Sequence, residues 1–209
     1  MQSEFILRGH VLSFTASPFA VATPEEAVQI SAAVAIAKGR IVGCGRFEDM
    51  QALLPQAEVI DHGAKLILAG FVDAHVHYPQ TAIIASWGKR LIDWLNTYTF
   101  PEEAKFSDPA YAKHVAETYL DLLLANGTTT VTSFCTIHPT SVDALFNAAE
   151  TRVMRIVAGK TCMDRDTAPD VLRDTAQSAY DDSKALIEKW HRKGRATYAI
   201  TPRFSPTST

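Results

Sequence analysis

Apolar and polar residues alternate in short blocks through the first third of the chain, and the rhythm then lengthens. Phe5-Ile6-Leu7-Arg8-Gly9 and Val11-Leu12-Ser13-Phe14 are short apolar runs. A polar loop with Pro18 and Pro24 precedes a further run, Ala32 to Ala37. The turn Lys38-Gly39-Arg40 leads into Ile41-Val42-Gly43, and two runs joined by a tight turn predict a hairpin. Phe47 to Leu54 reads as one short helix closed by Pro55, and Glu58 to Asp61 as another strand. Together these predict a small β domain over residues 1–65, of β-sandwich type.

From Leu66 the pattern changes. Leu66 to Val72 is a near-continuous apolar run, as expected of a strand buried on both faces of a parallel sheet. Helix formers dominate Pro109 to Asn126, and Gly127 follows where a left-handed cap residue is cheap. Thr128 to Phe134 is β-branched and strand-like. Ser141 to Glu150 predicts a helix, Val153 to Val157 a strand, Val171 to Lys193 a long helix ended by Gly194, and Ala196 to Thr201 a fourth strand. Strands alternating with helices predict an α/β fold with a parallel sheet. No Gly-x-Gly-x-x-Gly follows a strand, which removes the main support for a dinucleotide fold.

Composition adds boundaries. Hydrophobic residues at 47% and charged residues at 21% are those of a globular protein and argue against disorder. A net charge of -3, with Lys and Arg scattered, offers neither a nucleic-acid patch nor a polybasic membrane segment. Glu4 interrupts the only apolar stretch near the N-terminus, which makes a poor signal peptide. Cys44, Cys135 and Cys162 form no Cys-x-x-Cys pair and read as reduced, buried residues. The expected location is the cytoplasm, with no nucleic-acid or membrane partner.

The candidate chemistry lies in Phe71-Val72-Asp73-Ala74-His75-Val76-His77. Residues two apart on a strand point to one side, so His75 and His77 present both imidazoles together. They stand at the strand's C-terminal end, where a (β/α)8 barrel builds its active site. Two imidazoles supply half of a tetrahedral zinc shell.

This stretch resembles the Pro-Gly-Phe-Val-Asp-x-His-x-His signature of the amidohydrolase superfamily, with Ala69 in place of the proline. The likeness narrows along the chain. His75-Val-His77-Tyr-Pro-Gln80, Leu91-Ile-Asp-Trp94-Leu-Asn-Thr-Tyr-Thr-Phe100-Pro101, Asn126-Gly-Thr-Thr-Thr130, Gly159-Lys-Thr-Cys162-Met-Asp164 and Thr201-Pro-Arg203-Phe204-Ser205 resemble, in that order, the guanine deaminase family. The resemblance implies about the first four βα units of a TIM-like barrel over residues 66–209. It implies His75 and His77 as metal ligands, with one zinc per site; iron suits the same donors. It implies His77, Gln80, Arg203 and Phe204 around guanine, a homodimer in the intact enzyme, and hydrolytic deamination to xanthine and ammonia.

Other zinc amidohydrolases, deaminases of another heterocycle or chlorohydrolases, remain alternatives, as does a non-catalytic fragment. The family takes further metal ligands and a proton-shuttling glutamate from later strands, so no catalytic residue is assigned within this chain. Four strands leave a sheet edge open, and the chain by itself is expected to self-associate and to lack activity. His138 follows the second strand of the βα series and is a weaker pocket candidate. Trp94 and Tyr98, four apart, read as helix packing.

Overall fold

The computed structural model describes residues 4–88, 90–165 and 168–209, so the first three residues of the expected small domain lie outside it. The chain divides into two compact units, Met1–Ala69 and Gly70–Thr209.

The first unit is one mixed sheet with a short helix on it. Its strands are β1 (Phe5–Phe14), β2 (Val28–Ala37), β3 (Arg40–Gly45) and β4 (Glu58–Leu68), in the order β3-β2-β1-β4. The two runs read separately in the sequence, 5–9 and 11–14, are a single strand whose register shifts between Arg8 and Val11. The hairpin is tight because Lys38 (φ 54°) and Gly39 (φ 70°) both adopt the left-handed region, as a two-residue turn between twisted strands requires. Helix α1 (Phe47–Leu53) sets Met50 against Ile6, Ala33 and Ala35. Small alanines on β2 leave room for that helix. Arg8 lies over the Phe47 ring at 4.6 Å.

The run 66–72 is not one strand. Leu66, Ile67 and Leu68 belong to β4 and pair with His10, Val11 and Leu12 of β1. The expected boundary at residue 65 therefore moves to Ala69. Nor is the run buried on both faces: Leu66, Phe71 and Val72 are all more than half exposed. The apolar signal was real, but two strands of different sheets share it, and each lies at an edge of its sheet.

The second unit is a parallel sheet, β5 (Phe71–His77), β6 (Thr128–Phe134), β7 (Arg155–Gly159) and β9 (Ala196–Tyr198), in the order β5-β6-β7-β9. Short strands β8 (Thr161–Cys162) and β10 (Thr201–Pro202) pair beyond the ends of β7 and β9. The crossovers carry α2 (Leu91–Trp94), α3 (Phe100–Ala104), α4 (Pro109–Ala125), α5 (Pro139–Arg152) and α6 (Ala176–Trp190). The main core holds Leu120 of α4, Leu145 and Phe146 of α5, Trp190 of α6, and Val131, Ile156 and Tyr198 of the sheet. Burying each such side chain stabilises by about 1.5–3 kcal/mol. No helix among the described residues is long and apolar enough to cross a membrane.

Three boundaries differ from the sequence reading for local reasons. The third strand of this sheet starts at Arg155 rather than Val153, because Val153 (φ 56°) caps α5 in the left-handed region and Met154 donates back to the Ala149 carbonyl. The helix expected from Val171 begins at Ala176. Thr175 caps it, with its hydroxyl accepting from Ser178 N at 3.0 Å while Ser178 Oγ accepts from Thr175 N at 2.9 Å. The last strand breaks after Tyr198, where the Ala199 carbonyl crosses close to Gly159. A Cβ on Gly159 would lie 1.8 Å from that oxygen. Gly159→Ala should therefore lower the urea-unfolding free energy by about 2–3 kcal/mol, and an unchanged midpoint would refute the close approach.

Candidate active site

The site lies where the parallel strands end. His75 and His77 close β5, and Phe134 closes β6 directly opposite, since His77 pairs with Phe134 in register. The two imidazole centroids are 5.4 Å apart. Phe134 stacks on His77 at 4.4 Å, with ring planes 4° apart, and meets His75 edge-on at 5.4 Å. The sequence reading had not singled out Phe134.

His77 is the more enclosed of the pair. Burial, then the nearby Arg203 charge, then His75 push its pKa down from 6.5 to about 4. It is thus neutral at ordinary pH, the state in which an imidazole binds a metal. Its Nδ1 is buried and meets no hydrogen-bond partner among the described residues. Such an orphan nitrogen costs free energy unless something outside the chain satisfies it. The donor set therefore fits a metal ion. Among the described residues, no group of three or more His, Cys, Asp or Glu side chains gathers as a complete metal site.

The other candidates come from three separate segments. After β5 the chain makes a 3-10 turn, Tyr78–Ile83, begun by Pro79, and this carries Gln80. Gln80 lines a cavity of about 380 Å³ with His77, Trp94 and Tyr119. Arg203 follows β10, with its backbone N–H donating to the Cys162 carbonyl at 3.3 Å. Its guanidinium is almost fully buried and grips Glu103, itself wholly buried. Both ends of the fork engage the carboxylate: Nη1 on Oε2, and Nη2 on Oε1 at 2.9 Å. Gln80 Nε2 also donates to Glu103 Oε1 at 3.4 Å. The guanidinium lies 5.3 Å from the centre of the Phe100 ring.

Glu103 reaches this position through an irregular helix. Leu95–Thr99, between α2 and α3, is a π turn in which Phe100 N–H donates to the Leu95 carbonyl, five residues back. Pro101 comes next, with no N–H and a ring that crowds the preceding turn, so a regular α pattern fails here. Phe100 and Glu103, three apart, then share the helix face that meets Arg203. Phe204 packs into a neighbouring apolar cluster with Leu95, Phe100, Met163 and Leu172. The structure thus joins Gln80 and Arg203 through Glu103 and places Arg203's charge near His77. Phe204 packs against the apolar cluster to which Phe100 belongs.

His138 occupies the N-cap position of α5, in the loop after β6, without a side-chain capping bond. Its Nε2 is buried without a partner among the described residues, and burial, then the Lys160 charge, lowers its pKa. Trp94, read as helix packing, both joins the apolar cluster and lines the cavity with Gln80.

The chain's sequence matches the pattern of the amidohydrolase family over residues 66–209. The chain belongs to the amidohydrolase family. Guanine deaminase from Escherichia coli (strain K12) is 49% identical over 174 residues, covering 83% of this chain and 39% of that protein. The solved E. coli guanine deaminase superposes with TM-score 0.89 at 43% identity, over 100% of this chain and 48% of that one. A guanine deaminase from C. acetobutylicum, solved with guanine in its active site, gives TM-score 0.82 at 29% identity, over 99% and 48%. An atrazine chlorohydrolase from Arthrobacter aurescens complexed with zinc gives 0.78 at 20% identity, over 98% and 48%, a likeness of fold. The chain spans less than half the length of each of these amidohydrolase relatives.

One buried ion pair supports this end of the amidohydrolase sheet without joining the cluster. Lys160, directly after β7, is paired with Asp174, and both are buried. Asp174 also accepts from Met163 N at 2.9 Å, which ties down the loop after β8. Lys160→Met would leave the Asp174 charge buried and unpaired. We expect a loss of about 3–5 kcal/mol in urea unfolding, and a loss below about 1 kcal/mol would mean the pair is solvated.

Proposed function

We propose that the whole protein containing this chain hydrolytically deaminates guanine to xanthine and ammonia. The observation that carries the reading is the assembly of His75 and His77 beside the Gln80–Glu103–Arg203 network at the C-terminal end of a parallel sheet. In barrel enzymes that end carries the chemistry. The named relatives support guanine over other heterocycles, since those at the higher identities are guanine deaminases.

On this reading His75 and His77 hold one zinc ion, with iron as the rival for the same donors. When bound, zinc supplies Lewis acidity that brings the pKa of water down to about 7. Burial and the Arg203 charge keep His77 neutral and so available as a donor. The Arg203 guanidinium donates to the carbonyl or ring nitrogen of the base. The Gln80 amide contacts its polar edge. Phe204, packed against the apolar cluster that holds Phe100, offers a ring face that excludes water from the base. Both oxygens of Glu103 are occupied by the Arg203 fork, which makes it that arginine's structural counter-charge. The proton shuttle is therefore assigned to a carboxylate elsewhere in the whole protein.

The fold reading follows the same line. We take β5, β6, β7 and β9 with their helices as the first four units of an eight-stranded barrel, and the first unit's sheet as one layer of a sandwich-type domain. Parallel pairing with helical crossovers supports the former.

The test replaces His75 and His77 by Ala separately in the whole protein. Each variant should lose more than about 100-fold in guanine turnover and hold less zinc than wild type. Full activity with undiminished zinc would refute the assignment of these ligands.

A further inference from the structure

We propose that Glu103 is a positioning residue that fixes the hydrogen-bonding faces of both Arg203 and Gln80 and thereby selects purines with a carbonyl beside a ring N–H. The inference rests on the guanine reading above and deepens it.

A carboxylate only accepts hydrogen bonds. Glu103 sits wholly buried between two side chains that can donate. On one side it takes one N–H from each terminal nitrogen of Arg203. A guanidinium is planar, so two bonds to one carboxylate fix its plane and direction. Its remaining N–H groups are then committed to a single orientation. The centre of the Phe100 ring lies 5.3 Å from the guanidinium carbon.

On the Gln80 side the same carboxylate decides which end of the amide faces it. Nε2 must turn toward Glu103, where it lies 3.4 Å from Oε1. The amide oxygen, an acceptor, then points away from the carboxylate. The pair thus offers fixed donors from Arg203 and a fixed acceptor from Gln80. Guanine carries the complement, a carbonyl oxygen next to a ring N–H. A purine without that edge meets unpaired groups, and buried unpaired groups discriminate strongly.

A Gln at position 103 keeps the shape but has one donor end. It cannot accept from both Arg203 nitrogens and from Gln80 together.

The experiment uses the zinc-loaded whole protein with Glu103→Gln. It reads kcat and KM for guanine and the inhibition constant of 2-aminopurine, which keeps the ring and the amine but lacks the carbonyl and the adjacent N–H. We expect guanine kcat/KM to fall about 10- to 100-fold, the size of a lost hydrogen bond to a charged group, mainly through KM. The 2-aminopurine constant should change less than about threefold. A parallel loss for both compounds, or no loss for either, would overturn the proposal. If Glu103→Gln does not fold, Glu103→Asp keeps the buried charge and shortens its reach. It should show the same guanine-selective rise in KM, and wild-type behaviour would overturn the idea. A wild-type protein that leaves guanine untouched would refute the guanine reading itself, and this inference with it.

Discussion

A buried guanidinium and a buried carboxylate cannot be left apart. Arg203 and Glu103 lie 100 residues apart in the second unit's sequence, and each is nearly or wholly removed from water. Separating them would strand a charge in a medium that solvates it poorly, which is strongly destabilising. That constraint ties the segment after β10 to the helix after β5. It also draws in Gln80, whose amide completes the carboxylate's contacts. The site's shape therefore follows from electrostatics as much as from apolar packing.

The sheet supplies the rest of the geometry. Parallel pairing brings the ends of β5 and β6 level, so His77 and Phe134 face one another and stack. The broken strand β9–β10 and the glycine opposite it let the chain turn from the sheet toward Arg203. The π turn before Pro101 places Phe100 and Glu103 on the same approach. Each device departs from regular secondary structure, and each lies beside a residue of the site. Regular elements build the platform, and their irregular ends aim the side chains.

What the sequence disclosed follows from this division. The alternation of βα elements after residue 70 was legible, because period and cap residues such as Gly127 (φ 82°) act locally. The His-x-His pair was legible because a strand's period of two sets its sides. The division of the run 66–72 between two sheets was not. Both strands are apolar, and only the pairing of Leu66 to Leu68 with β1 separates them. Glu103 was equally hidden. It lies 100 residues from Arg203, in a stretch with a second glutamate next to it, and nothing local shows which of the two is buried toward the arginine. The one available signal was that an arginine buried by the fold needs a counter-charge. Lys160 and Asp174 were missed for the same reason: a lysine after a strand reads as solvated until the fold closes over it.

The most direct measurement is a crystal structure of the whole protein with zinc and guanine bound. The account predicts nitrogens of His75 and His77 about 2.0–2.1 Å from the metal, with the base against Arg203 and Gln80 and Arg203 still forked on Glu103. A metal held without these histidines, or a base seated away from Arg203, would contradict it.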